Sequence, residues 1–302
     1  MGLANRMKSL AAIPQEKSDS VFGDVMVLVK ARLSLLVLIT TLVGFLIGWR
    51  GPLDWVLLTA TLAGTAMCAG GAAALNQWWE RDLDALMKRT RSRPLPAQRM
   101  QPLDALLFGL FLSVTGVAIL ALFTNLRAAF LAFATIAIYI LVYTPMKRRS
   151  SFNTLVGAVP GALPPLIGWV AARGSYNLEG SLLFAVLWFW QMPHFLAIAW
   201  MYREDYANAG YVMISGNDPE GSITSRQSLL YTLCLLVVTL LPGLIGFNSP
   251  LYFFVALLLG VVFCAFAMSF VFHRDRNAAR RLFFYSILYL PLLLGLLVAT
   301  VR

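Results

Sequence analysis

Nine stretches of this chain are apolar for about twenty residues each, the length that crosses a bilayer as a helix. They lie at 29–49, 55–79, 103–123, 128–146, 154–172, 180–201, 227–246, 250–272 and 282–300. Inside lipid every backbone polar group must find a partner within the chain, so runs of this kind fold as helices. We therefore expect an all-α polytopic membrane protein, a bundle of about nine transmembrane helices. The 59% apolar composition and mean hydropathy of +0.74 agree with that class. Residues 1–28 are polar and mixed, lack the apolar core of a signal peptide, and read as a cytoplasmic N-terminal arm. Residues 29–302 read as a single transmembrane domain, because no polar segment is long enough to form a core of its own.

The net charge of +10 is sorted by loop and does not point to nucleic acid. With the N-terminus inside, 20 of the 24 Lys and Arg fall in inner segments. Arg50, Arg127, Arg173 and Arg302 fall outside. The positive-inside rule then places the 80–102 and 202–226 loops on the cytoplasmic face, and bacterial inner membrane is the expected location. Those two loops hold Glu80, Asp82, Asp84, Glu204, Asp205, Asp218 and Glu220, half of the 14 acids. Cys68, Cys234 and Cys264 are isolated in apolar runs and read as packing residues.

The second apolar run ends in Asn76-Gln-Trp-Trp-Glu80-Arg-Asp82-Leu-Asp84. Carboxylates are costly near a bilayer and usually have a job there. On a helix, residues four apart drift by only about 40° around the axis, so Asn76, Glu80 and Asp84 share one face. Oxygen ligands on one face suit a hard cation such as Mg²⁺. Asp82 points elsewhere and is expected to pair with Arg81 or Arg89. The stretch Lys88-Arg89-Thr90-Arg91-Ser92-Arg93 follows. It suits a diphosphate, as do Lys147 and Arg148 after the fourth run, although both stretches also serve as topology signals. Arg89 and Arg93 are the better candidates in the first stretch. A metal and a diphosphate at a membrane surface outline a prenyl-transfer site.

His194 is one of two histidines and stands inside the sixth run. An intramembrane histidine is a functional candidate: it would ligate a haem iron, move a proton or bond another helix. Tyr202, Arg203, Glu204 and Asp205 form a second polar cluster on the same membrane face. The aromatic residues Trp78, Trp79, Tyr143, Trp200 and Tyr202 would face a cation through their rings or simply sit at the interface.

Together these motifs resemble the UbiA superfamily of intramembrane prenyltransferases, in its protohaem IX farnesyltransferase (haem O synthase) branch. The matching stretches are Asn76-x3-Glu80-x3-Asp84 with Met87–Leu95, Tyr143-Thr-Pro-Met-Lys147-Arg148, Asn153 with Gly161–Pro165, and Met192-Pro-His194-Phe with Tyr202–Gly210. The resemblance implies a bundle around a central cavity with two acid-bearing loops facing each other. It implies farnesyl diphosphate as donor, haem B as acceptor and Mg²⁺ as cofactor, with the lipid bilayer as surroundings. Asn76, Glu80 and Asp84 would hold metal, Asp205 would join them in catalysis, and His194 would bind haem. A haem A synthase or a terminal oxidase would be the assembly partner. Two departures stand out. Glu80 replaces the family's usual Asp, and Tyr202 and Tyr206 stand where the wider superfamily has paired acids, which leaves the number of magnesium ions open. A phenolic or quinone precursor is the rival acceptor, against which His194 and the Tyr-Arg-Glu-Asp-Tyr pattern argue. A non-catalytic haem-handling protein or transporter is the rival from another class. Mg²⁺-dependent consumption of farnesyl diphosphate separates it from an enzyme.

Overall fold

The structure is a computed structural model and describes residues 20–301. Residues 1–19 of the expected arm, and Arg302, lie outside the described residues. The rest of the arm is a short helix, α1 (Val21–Leu28). Nine helices long and apolar enough to cross a membrane follow among the described residues. They are α2 (Ala31–Gly48), α3 (Trp55–Asp84), α4 (Pro102–Phe123), α5 (Leu126–Met146), α6 (Asn153–Arg173) and α7 (Leu178–Met201). After a short surface helix, α8 (Arg203–Asn208), come α9 (Ser222–Leu244), α10 (Pro250–His273) and α11 (Arg276–Thr300).

The helix starts are written in local chemistry. Asp54 accepts hydrogen bonds from the Val56 and Leu57 amides at 2.9 Å each, capping α3. Asn125, Asn177 and Asp275 cap α5, α7 and α11 in the same way. At the far end of α6, Gly174 closes the helix with φ +71°.

Lipid is as apolar as leucine, so burial alone does not drive these helices together, and close backbone packing does much of it. A Cβ at Gly44 of α2 would overlap the Pro165 carbonyl of α6, and one at Gly168 of α6 would overlap the Thr41 carbonyl of α2. The two glycines form a reciprocal seam. Helix α6 carries Pro160, Pro164 and Pro165, which leave carbonyls without their helical donors. Gln191 of α7 donates to the Ala158 carbonyl at 3.2 Å, meeting α6 beside the prolines. Large buried side chains such as Trp169, Tyr252, Phe263 and Tyr289 fill the interior. Phe111, Leu107 and Val114 on α4, and Phe254, Leu251 and Leu258 on α10, are exposed as lipid-facing side chains must be.

Helix α3 runs five residues past the apolar stretch expected at 55–79. Its last turns are polar, yet they are covered by α1, the end of α5 and the loop after α8. They hold the site.

Candidate active site

Asn76, Glu80 and Asp84 lie on one buried face of α3, with only 1%, 4% and 2% of their surface exposed. Asp82, two residues off that face, is exposed and pairs with Arg81 at 3.8 Å. Two carboxylates buried this deeply need partners, because an uncompensated buried charge costs several kcal/mol.

Three cations from three separate segments supply the partners. Lys30, at the start of α2, donates to Asn76 Oδ1 at 2.7 Å. Lys147, just past α5, donates to both Glu80 oxygens at 2.8 and 3.0 Å. Arg93, in the loop after α3, donates to Asp84 Oδ2 at 2.6 Å. Asn76 Nδ2 donates in turn to Glu80 Oε2 at 3.0 Å, so these two form one hydrogen-bonded run, with the Asp84–Arg93 pair next along the same strip. Burial by itself would favour a neutral Lys147 amine. The Tyr143 ring beside it and the Glu80 carboxylate, with Tyr139 and Tyr211, outweigh that and hold the ammonium well above the usual lysine range.

A change of helix type at the end of α5 builds one wall. Residues Ile138–Tyr143 form a π-helix, and the Thr144 amide donates to the Tyr139 carbonyl five residues back. Pro145, which has no N–H and a ring that crowds the carbonyl four residues earlier, favours the wider turn. The wide turn puts Tyr139, Tyr143 and Thr144 on one side. Tyr139 donates to Asn76 Oδ1 at 3.3 Å. Asn76 donates to Thr144 Oγ1 at 3.2 Å. Lys147 Nζ lies 4.7 Å from the centre of the Tyr143 ring.

Lys30 is placed by the break between α1 and α2. It adopts φ +48°, in the left-handed region that non-glycine residues seldom visit. Gln77, the neighbour of Asn76, donates to the Val27 and Leu28 carbonyls at 2.8 Å each and ties the end of α1 to α3. Asp24 of α1 is buried and pairs with Arg99 at 2.9 Å. The lysine's strained backbone and its contact with Asn76 are thus held from both sides.

The remaining candidates are spread around this cluster. Arg89 is at the rim, its guanidinium 6.0 and 5.8 Å from the Tyr202 and Tyr206 ring centres. It is there that the second polar loop meets the first. Met87, Ala209 and Tyr211 pack together beneath the contact, and the Val212 amide donates to the Lys147 carbonyl at 2.7 Å. Lys88 and Arg148 are exposed. Glu204 is exposed and Asp205 half-buried, and neither side chain has a partner among the described residues. Arg203 stacks over Trp200 at 4.3 Å. His194 sits at the seam of α7 and α11, away from the buried strip, with Nδ1 2.7 Å from Ser286 Oγ. It lies seven residues from the end of α7 and Asn76 eight from the end of α3, so both are roughly 10–12 Å in from the same end of the bundle. The sequence alone does not single out Lys30, Tyr139 or Thr144 for this site. A lysine at the edge of the first apolar run was the one signal for Lys30.

Among the described residues no three His, Cys, Asp or Glu side chains converge as a complete metal cage. The strip offers two carboxylates and an amide oxygen, and Asp84 Oδ1 has no partner among the described residues. A Mg²⁺ ion typically takes one or two carboxylates and completes its shell with water and substrate phosphate. The donors present fit that ion.

Residues 37–288 match the UbiA prenyltransferase family. A protein named protoheme IX farnesyltransferase from Solibacter usitatus is 43% identical over 283 residues, covering 91% of this chain and 97% of that protein. One of the same name from Opitutus terrae is 44% identical, covering 93% and 95%. Among solved structures, a digeranylgeranylglyceryl phosphate synthase superposes with a TM-score of 0.79 at 14% identity, over 92% of this chain and 97% of that one. A UbiA homolog from Archaeoglobus fulgidus bound to GPP and Mg²⁺ gives 0.65 at 15% identity, over 91% and 99%. At such identities these structures establish the fold alone.

Proposed function

The chain belongs to the UbiA prenyltransferase family, and on that premise we propose that it transfers a farnesyl group from farnesyl diphosphate to a vinyl group of haem B, with addition of water, to give haem O. The observation that carries the reading is the buried strip of α3, where Asn76, Glu80 and Asp84 each meet a cation from a different segment. Oxygen donors and cations alternate there as a metal–diphosphate group requires. The acceptor rests on relatives of one name that match more than nine-tenths of the chain. That shared name favours haem over a phenolic precursor. The basic end, where Lys30, Arg93 and Lys147 meet, faces the cytoplasm in this reading. The loop charges and the organisms of the relatives support an inner-membrane location.

Asn76, Glu80 and Asp84 would hold Mg²⁺, which when bound supplies a Lewis acid to the departing diphosphate. Arg93 and Lys147, freed from their carboxylates, turn to the diphosphate oxygens as charge builds on them, and Lys30 does the same from above Asn76. These groups already lie beside the strip, so a local change of partner alone brings them to the developing charge, and such a prearranged site is where electrostatic catalysis gains most. The C1–O bond of the donor breaks and its electron pair leaves with the diphosphate. The vinyl π electrons then form the new C–C bond, and water captures the cation left beside the porphyrin, losing a proton. Tyr139 and Tyr143, stacked 5.4 Å apart, line the wall nearest the strip. Their ring faces stabilise an allylic cation without attacking it. His194 binds the haem at a depth matching Asn76.

The test is a pair of tubes with Mg²⁺ and farnesyl diphosphate, one holding haem B and the other 4-hydroxybenzoate. Diphosphate release that requires haem supports the reading. Release that requires the phenol instead would keep the metal site and overturn the acceptor.

A further inference from the structure

The side chain of Ser286 sits between His194 and the backbone of α11, and its single proton can be located by counting. Ser286 Oγ lies 2.6 Å from the Phe283 carbonyl oxygen. Two oxygens that close need a hydrogen between them, and the carbonyl has none, so the hydroxyl donates to Phe283. The same Oγ lies 2.7 Å from His194 Nδ1. Its proton is already committed, so Nδ1 must be the donor. The imidazole is therefore held with its proton on Nδ1, and Nε2 carries the bare lone pair. The ring cannot turn freely to evade this arrangement. It is stacked on Trp190 at 5.1 Å and 24° on α7, and on Phe283 at 4.8 Å and 30° on α11. Trp190 Nε1 also donates to the Ser286 carbonyl at 2.7 Å, which fixes α7 against the turn that carries the serine. Ser286 is fully buried, so water does not compete for the hydroxyl.

We infer that Ser286 is a positioning residue which sets the tautomer and angle of His194 so that Nε2 is presented as a ligand to the iron of the haem acceptor. A ligating imidazole generally needs its other nitrogen held by an outer partner, and losing that partner typically costs roughly 10–100-fold in metal affinity. Here the partner comes from a different helix, 92 residues further along the chain. The inference rests on the haem reading above and adds to it the atom that binds and the residue that aims it.

The test is a titration of ferric haem B into the purified full chain in detergent, without farnesyl diphosphate, read by the Soret band and by electron paramagnetic resonance. Wild type, His194→Ala, Ser286→Thr and Ser286→Val are compared. Thr and Val have the same shape, so any cost of the added methyl group is shared, and the difference between them reports the hydroxyl. The expected result is an imidazole-ligated signature in wild type and Ser286→Thr that is lost in His194→Ala. Ser286→Val should reach it only at roughly 10–100-fold higher haem. Equal titrations for Thr and Val would overturn the role of Ser286. An unchanged signature in His194→Ala would remove the ligand itself, whatever the serine variants do. Both results leave the metal–diphosphate strip untouched.

Discussion

Lys30 and Asn76 are 46 residues apart in sequence and 2.7 Å apart in the fold, the side-chain nitrogen of one on the amide oxygen of the other. Neither side chain makes the site alone. The contact brings the start of α2 onto the polar face of α3, and it holds one of the three cations that the diphosphate reading needs.

Lys30→Met keeps the length of the side chain and removes the charge. We predict a loss of about 10²–10³-fold in kcat, the usual cost of deleting one preorganised donor. Gln77→Leu leaves the charge but unties α1, so it should lower activity by a smaller factor. Steady-state kinetics on both, against farnesyl diphosphate, check the order. Equal losses would mean that Lys30 acts only through the packing of α1.

Glu80→Gln leaves Lys147 buried without its carboxylate. Breaking one side of a buried pair costs about 3–5 kcal/mol, so the melting temperature should fall along with the activity. Glu80→Asp keeps the charge on a shorter arm and should retain metal-dependent turnover. A melting curve and a rate for each variant separate the two effects.

Pro145→Ala restores a backbone donor where the π-helix of α5 begins to tighten. The wide turn should relax towards an ordinary helix and rotate Tyr139 and Thr144 off Asn76. The expectation is a stability equal to or above that of wild type with a kcat at least tenfold lower. A helical strain given up at the cost of function is the signature of a turn kept for the site.

Asp218 lies in the loop before α9 and is buried. Burial works against its charge, but the backbone amides of Thr224, Ile223 and Ser222 win, holding the carboxyl below its usual range. The Thr224 amide donates to Oδ2 at 2.7 Å. A carboxyl lowered on folding stabilises the fold above its unfolded value of about 3.9. That contribution disappears as pH falls through the lower folded value. The difference in melting temperature between wild type and Asp218→Asn should therefore be largest above about pH 5 and should narrow as pH falls below the unfolded value and through the lower folded one. A difference that grows on acidification would contradict the assignment.

Much of this architecture is legible in the chain. The nine apolar runs locate nine helices because length and hydropathy alone decide what crosses a bilayer. The i, i+4, i+8 spacing of Asn76, Glu80 and Asp84 places them on one face because helical geometry leaves no other choice. The partners are harder to read. Lys30 looks like one more topology charge, since its meeting with Asn76 depends on how α2 lies against α3. Tyr139 and Thr144 are five apart and would diverge on an ordinary helix, so no pattern of periodicity unites them. Pro145 was the one hint of the irregular turn. His194 stood out by its rarity, but Ser286, which faces it from α11, carries no signal at all in an apolar run.

In the proposed function the α3 strip holds a metal with the donor's diphosphate, and haem is the acceptor. The most direct measurement incubates purified protein with haem B, farnesyl diphosphate and Mg²⁺ and follows the pigment by liquid chromatography and mass spectrometry. Parallel samples contain EDTA or the Asp84→Ala variant shown to be folded. The expected result is a haem product heavier by farnesol in the complete sample, and its absence both with EDTA and in the variant. The same product formed at full rate with EDTA or by folded Asp84→Ala would contradict it.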